Sequence, residues 1–390
     1  MKISKKIEHD FVPNDNVIYS RRNVLKFGLT GVCALGTSFL PGFVLADSKT
    51  KPWKWSKEVA FYHSEGNIVH CETCPHGCVV EPGERGICRS KVNLDGKYYS
   101  VAYGNPCTAN IDPIEKKPLY HYLPSTRAFS IAVAGCTFRC LNCQNWTISQ
   151  VPPEETKNLD MFPDVVVRNC LDYKCESIAY TYSEPMSFYD YMYDTAKIAH
   201  SKGIKNLLIS NGYINEKPLR RLAKYINAAN INLKSYNNEI YKKLNGGTLA
   251  PILNTLKVLK EENVWLEITN LVIPSWTDDF NMIKEMCKWL VANNFDNNPL
   301  HYLRFMPLYK LTHLPMTPVS TLEKARNIAL DAGMKYVYIG NVPGHEAENT
   351  FCPKCKKKVL ERRGFYILQN NIYKGKCKFC GEKINGVWEK

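Results

Sequence analysis

No stretch of this chain combines a run of basic residues with regularly interleaved aromatics, although Lys and Arg exceed Asp and Glu by 51 − 37 = 14. The positive charge is scattered, so the excess reads as a solvated surface and no nucleic-acid partner is expected. Beyond Ala46 no segment is apolar enough to cross a bilayer. Hydrophobic content of 45% and charged content of 23% are ordinary for a globular protein. A length of 390 residues leaves room for about two to three domains.

Cysteine is the opposite case, with sixteen in the chain. Most fall in three groups: Cys71, Cys74, Cys78 and Cys88; Cys136, Cys140 and Cys143; Cys352, Cys355, Cys377 and Cys380. Short C-x-x-C gaps bring thiolates onto one ion and suit metal better than disulfides. Cys33, Cys107, Cys170, Cys175 and Cys287 read as small buried hydrophobes.

At the N-terminus, Arg21 and Arg22 stand together before a mostly apolar stretch that ends in "VLA" at Ala46. This pattern predicts a twin-arginine signal peptide over residues 1–46. It implies the twin-arginine translocase as a partner and a destination in the periplasm or cell envelope. Gly28, Gly31, Gly36 and Pro41 make the stretch a weak spanning helix, and an uncleaved membrane tether is the alternative. Twin-arginine export carries folded proteins, which suits a chain that acquires metal inside the cell.

Residues 47–124 form a short cysteine-rich segment, in which "VNLDGKYYSVAYG" predicts a hairpin turning at Asp95-Gly96. Such a segment is too small for a large core of its own, and a metal would staple it. Over residues 125–345 short apolar strands alternate with helical patterns, giving six or seven β-α units. The expected fold is α/β: a parallel sheet curled into a partial or full (β/α) barrel, with active groups at the C-terminal strand ends. In residues 346–390, two C-x-x-C knuckles separated by 21 residues resemble a zinc ribbon, with a structural metal held by Cys352, Cys355, Cys377 and Cys380.

The triplet "GCTFRCLNC" follows the first strand of that barrel. Three thiolates on a four-iron cluster leave one iron with an open position, which can bind and activate a small molecule. A zinc site borrowing a fourth ligand explains the cysteines but not their place on the barrel. Here the sequence resembles the radical S-adenosylmethionine enzymes, whose C-x-x-x-C-x-x-C loop holds a [4Fe-4S] cluster. The resemblance implies that the open iron chelates S-adenosylmethionine. An electron then splits a sulfonium C–S bond to give a 5′-deoxyadenosyl radical that abstracts hydrogen from a substrate.

Further positions carry the likeness. "YTYSEP" ends the second barrel strand, so Ser183 and Glu184 are the expected contacts to the methionine ammonium. "ISNG" places Asn211 at the third strand end, and "NLK" places Lys234 at the fourth, where it could pair with the methionine carboxylate. Two residues depart from the family pattern: Asn142 stands where an aromatic usually packs near adenine, and Asn232 where an Asp usually begins the fourth-strand motif. "DPIEKKPLYHYLP", "CQNWTISQ", "LVIPSWTDD" and "YVYIGNVPGHEAENTFCPKC" narrow the resemblance to the AmmeMemoRadiSam-system group, related to pyruvate formate-lyase-activating enzymes.

Cys71, Cys74, Cys78 and Cys88, at gaps of two, three and nine, could hold zinc or a second iron–sulfur cluster, or be partly paired as disulfides after export. His76 inside that motif reads as a surface histidine, and His121 in "LYHYLP" as structural. The resulting expectation is an enzyme that draws on an electron donor and acts on an unknown substrate, small molecule or protein. One alternative is an activase that installs a glycyl radical on a partner enzyme. Another is a non-catalytic iron–sulfur or zinc protein for electron transfer or binding.

Overall fold

The computed structural model describes residues 53–389; the segment read as an export signal, with Cys33, lies outside the described residues. Eight strands form the main sheet in chain order: β1 (Thr108–Pro113), β2 (Arg127–Ala132), β3 (Ser177–Tyr180), β4 (Lys205–Ser210), β5 (Ala228–Asn232), β6 (Trp265–Val272), β7 (Leu300–Arg304) and β8 (Val337–Gly340). β1 pairs antiparallel with β2, and every later pair is parallel. The parallel strands are joined by α1 (Pro163–Asp172), α2 (Tyr189–Ser201), α3 (Glu216–Ala223), α4 (Ala250–Glu261), α5 (Phe280–Ala292) and α6 (Val319–Asp331). The sheet does not close, since β1 and β8 are its two edges, so the barrel is partial.

The alternation follows from the residues. β3 is "SIAY", buried at every position, as expected for a strand covered on both faces. α5 starts at Asp279, whose carboxylate accepts from Asn281 N and Met282 N, and it buries Ile283, Met286, Cys287 and Leu290 along one stripe. Most apolar side chains of the strands and helices join one core between the sheet and its helical layer. No helix among the described residues is long and apolar enough to cross a membrane.

The sheet begins earlier than the apolar alternation suggests. β1 is "TANIDP", mostly exposed or half-exposed, and pattern alone does not single it out. Its anchor is Asp112, whose carboxylate accepts from Lys116 Nζ (2.9 Å), from the buried Lys117 Nζ (2.5 Å) and from the Tyr182 hydroxyl.

The expected hairpin is present, pairing Lys91–Leu94 with Lys97–Ser100. Asp95 (φ 50°) and Gly96 (φ 85°) both lie in the left-handed region, as a two-residue hairpin turn requires. The tail folds into strands Thr350–Phe351, Lys358–Arg363 and Tyr366–Asn370 plus a small hairpin. It shares a second core with Tyr120, Tyr336 and Tyr338 of the barrel.

Candidate active site

The C-terminal ends of β2 to β5 bring together the loop of Cys136, Cys140 and Cys143, the turn Tyr182–Glu184, Asn211 and Lys234. The cysteine loop leaves β2 through Gly135 (φ 108°), where a Cβ would fall 2.5 Å from Cys88 O. Only glycine fits there. The loop is then pinned from the side. Arg139 N donates to Asn245 O (2.8 Å), Leu141 N to Leu244 O (2.9 Å), and the buried Asn245 Nδ2 reaches Cys140 Sγ at 3.2 Å.

Glu184 is 2% exposed. Its carboxylate accepts from Ser210 Oγ (2.7 Å), Met186 N (3.2 Å) and Asn211 N (2.8 Å), all neutral donors. Burial pushes its pKa up; the hydrogen bonds, and more weakly Lys234, oppose the rise without cancelling it. The Cys136 thiol is also pushed well up, first by burial and then by the Glu184 charge beside it. Asn211 bridges the two elements, donating from Nδ2 to Thr137 Oγ1 (3.0 Å) while its Oδ1 accepts from Tyr213 N (2.8 Å). Lys234 is half-buried and its charge favours the Cys143 thiolate. Ser183 faces the same region, but its hydroxyl already donates to Val133 O at 2.6 Å.

Several contributors were not singled out in the sequence. Asn245, Gln150 and Thr137 brace the loop; Thr137 and Gln150 lie in motifs quoted above without having been singled out, and Asn245 lies in none. His76 is half-buried rather than a free surface residue: its Nε2 meets Thr137 O at 2.7 Å, tying the N-terminal segment to the cysteine loop. His121 is buried, with Nδ1 against Asn385 O (2.6 Å) and Nε2 against the Tyr338 hydroxyl, as a structural residue would be. Cys170, Cys175 and Cys287 are buried in the main core, while Cys107 is half-buried at the sheet edge.

The sulfurs of Cys352, Cys355, Cys377 and Cys380 lie within 4.8 Å of one another and could hold a metal ion. The Lys357 backbone N–H draws the half-buried Cys355 thiol down to about 7. On the hairpin that pairs Tyr62–Glu65 with Ile68–Cys71, His63, Glu65 and His70 also bring ligand atoms within 4.8 Å, with the two imidazoles stacked at 4.8 Å. Among the described residues, neither the loop triplet nor the N-terminal quartet converges that closely.

A family model described as the Radical SAM superfamily matches residues 130–290, from β2 to the end of α5. The chain is 46% identical over 334 residues to the uncharacterized protein MJ0808 of Methanocaldococcus jannaschii, an overlap of 85% of this chain and 99% of that protein. It is 26% identical over 218 residues to the pyruvate formate-lyase 1-activating enzyme of Escherichia coli K12, covering 52% of this chain and 89% of that enzyme. A solved domain of a pyruvate-formate lyase-activating enzyme from Bacteroides vulgatus matches 42% of this chain and 99% of its own length, at 16% identity and a TM-score of 0.37. The chain therefore carries a radical SAM superfamily domain over residues 130–290, and it is homologous to the pyruvate formate-lyase-activating enzymes. Membership implies a [4Fe-4S] cluster and S-adenosylmethionine.

The residues present fit that pair. Glu184 is a buried carboxylate with no cation in hydrogen-bond contact, a costly arrangement until a cation arrives. Asn142 Oδ1, one residue before Cys143, is a buried acceptor without a partner among the described residues.

Proposed function

We propose that this chain is an enzyme that holds a [4Fe-4S] cluster on Cys136, Cys140 and Cys143 and reductively cleaves S-adenosylmethionine. The observation that carries this reading is Glu184: buried, hydrogen-bonded only by neutral groups, and close enough to Cys136 to raise its thiol pKa. A methionine ammonium supplies the missing positive charge. Lys234 offers the complementary cation for the methionine carboxylate, and Asn211 fixes the spacing between cysteine loop and carboxylate. Ser183 contributes through its backbone turn, since its hydroxyl is engaged. The unpaired Asn142 Oδ1 is suited to accept from an exocyclic amine such as that of adenine. When bound, the cluster and S-adenosylmethionine supply one-electron cleavage to a 5′-deoxyadenosyl radical, which abstracts hydrogen from a substrate.

The long motifs around the loop and before the tail support assignment to the AmmeMemoRadiSam-system group. The tail quartet, converging within 4.8 Å, supports a structural zinc. Arg21, Arg22 and the stretch to Ala46 support twin-arginine export, with the electron donor drawn from the compartment reached. Homology to the pyruvate formate-lyase-activating enzymes favours a second reading of the substrate, a glycyl-radical partner protein.

The test is anaerobic reconstitution, reduction and addition of S-adenosylmethionine. Wild type is expected to form 5′-deoxyadenosine, and Cys140→Ala to form none. A wild-type protein shown to carry its loop cluster that makes no 5′-deoxyadenosine overturns the proposal.

A further inference from the structure

The N-terminal quartet lies outside the site just described, yet it is built as carefully. Its gaps of two and three residues are those of the cysteine loop in reverse order, with a fourth thiol nine residues on. Cys71 ends the strand Ile68–Cys71, and its N–H donates to Cys78 O (2.9 Å). A turn closed by Gly77 N to Cys74 O (3.1 Å) lies between. Cys71, Cys74 and Cys88 are buried and Cys78 is half-buried.

Two polar groups point to an anionic occupant. Lys91 is 2% exposed, and its ammonium donates to Thr73 Oγ1 (2.9 Å) with no ion pair among the described residues. The same Thr73 hydroxyl lies 3.7 Å from Cys71 Sγ, so the ammonium stands one hydroxyl away from the first thiol. The buried Asp190 carboxylate supplies part of the negative charge a buried ammonium needs, and metal-bound thiolates would add to it. The second group is Tyr98, fully buried, whose hydroxyl has no partner. It packs in one buried cluster with Cys71 and Cys78. A Cβ on Gly86 would lie 2.5 Å from Tyr98 Oη and 3.7 Å from Cys78 Sγ, so glycine keeps that space open. Ser90 Oγ lies 3.3 Å from Cys88 Sγ.

We propose that Cys71, Cys74, Cys78 and Cys88 hold a second, fully ligated iron–sulfur cluster, with Lys91 as its counter-charge and Tyr98 as a hydrogen-bond donor to its sulfurs. In the tail quartet all four sulfurs lie within 4.8 Å of one another, as one ion requires; among the described residues the N-terminal sulfurs do not all converge within that distance. Four thiolates leave no open iron, so the site stores and passes electrons. It takes one electron from an external one-electron donor and is reoxidised by passing that electron toward the cysteine loop; no bond is made or broken in it. The path is short. Cys88 O sits against Gly135, Ser90 Oγ donates to Ser187 O (2.6 Å), and Ser187 Oγ, which donates to Glu184 O (2.7 Å), lies 3.2 Å from Gly135 O. The proposal uses the radical SAM reading only for the neighbour it faces, and the two fail separately.

The experiment is metal and sulfide counting with EPR on the anaerobically purified full chain. Wild type is expected to carry roughly eight irons, and Cys136→Ala/Cys140→Ala/Cys143→Ala about four, with a reducible cluster signal remaining. In that triple variant, Lys91→Met and Tyr98→Phe should each lower the midpoint potential, because each removes stabilisation of the more negative reduced state. Zinc in place of the residual iron, or a disulfide with nothing bound, overturns the proposal. So does a residual signal whose potential ignores both substitutions. Iron unchanged by the triple substitution overturns the loop reading instead.

Discussion

Glu184 concentrates the chemistry of the site in one side chain. Glu184→Gln keeps the shape and removes the charge, and one of its three donors then faces an amide NH2. S-adenosylmethionine should bind about 10- to 100-fold more weakly, for a lost charge-assisted contact of about 1.5–3 kcal/mol; calorimetric titration of the reconstituted protein reads this directly. Because burial raises the Glu184 pKa, wild-type affinity should also fade on acidification at a higher pH than an ordinary glutamate would give. Glu184→Gln should flatten that profile. The cysteines, Glu184 and Asn211 were legible because they sit in short motifs at strand ends. Asn245 and Lys91 were not. Asn245 reaches Cys140 across 105 residues, and Lys91 sits in "RSKVNL", which reads as a solvated lysine on a hairpin.

At the scale of elements, the antiparallel strand β1 supports the catalytic turn from outside the parallel array. Tyr182 is held at φ 63°, and its hydroxyl donates to Asp112 on β1. Burial works against the Asp112 carboxylate, but Lys117, Tyr182 and Lys116 hold it well below the usual carboxylate range. A carboxylate so depressed contributes stability above its unfolded value of about 4 and loses it as pH falls further. Asp112→Asn leaves Lys117 buried and uncompensated and should cost about 3–5 kcal/mol. It should also erase that acid-side loss, seen in urea midpoints between pH 3 and 7. Pairing Asp112→Leu with Lys117→Met should recover most of the stability. The helices and parallel strands were readable because buried residues repeat at helical spacing or run unbroken, as in α5 and β3. β1 was not, because its Thr, Asn and Asp carry no strand pattern and its ion pair is invisible until the chain folds.

Across the whole molecule, the tail is bolted to the barrel through a buried polar cluster. Glu267 accepts from Tyr120 N, His121 N and His301 Nε2 at 2.7–2.9 Å. Arg362 of the tail donates to Tyr120 O (2.8 Å) and stacks on the Tyr120 ring at 4.2 Å. Burial drives the His121 pKa down to about 4. The unfolded chain then takes up a proton below about pH 6.5 that the folded chain refuses until about pH 4, so stability falls through that window by up to about 3 kcal/mol. His121→Asn should flatten that part of the melting-temperature profile, leaving the steeper loss below pH 4 that belongs to Asp112.

The last described strand contact has a consequence for the order of events in the cell. Val387 pairs beside Tyr122, with Leu123 N donating to Val387 O (2.7 Å) and Val387 N to His121 O (2.8 Å). His121 and Asn385, partners in the same seam, are 264 residues apart. A growing polypeptide cannot close that seam until nearly all of it has emerged from the ribosome. The cysteine loop near residue 140 is therefore made long before the barrel can lock, which gives cofactor loading a stretch of time in which the binding region is still open.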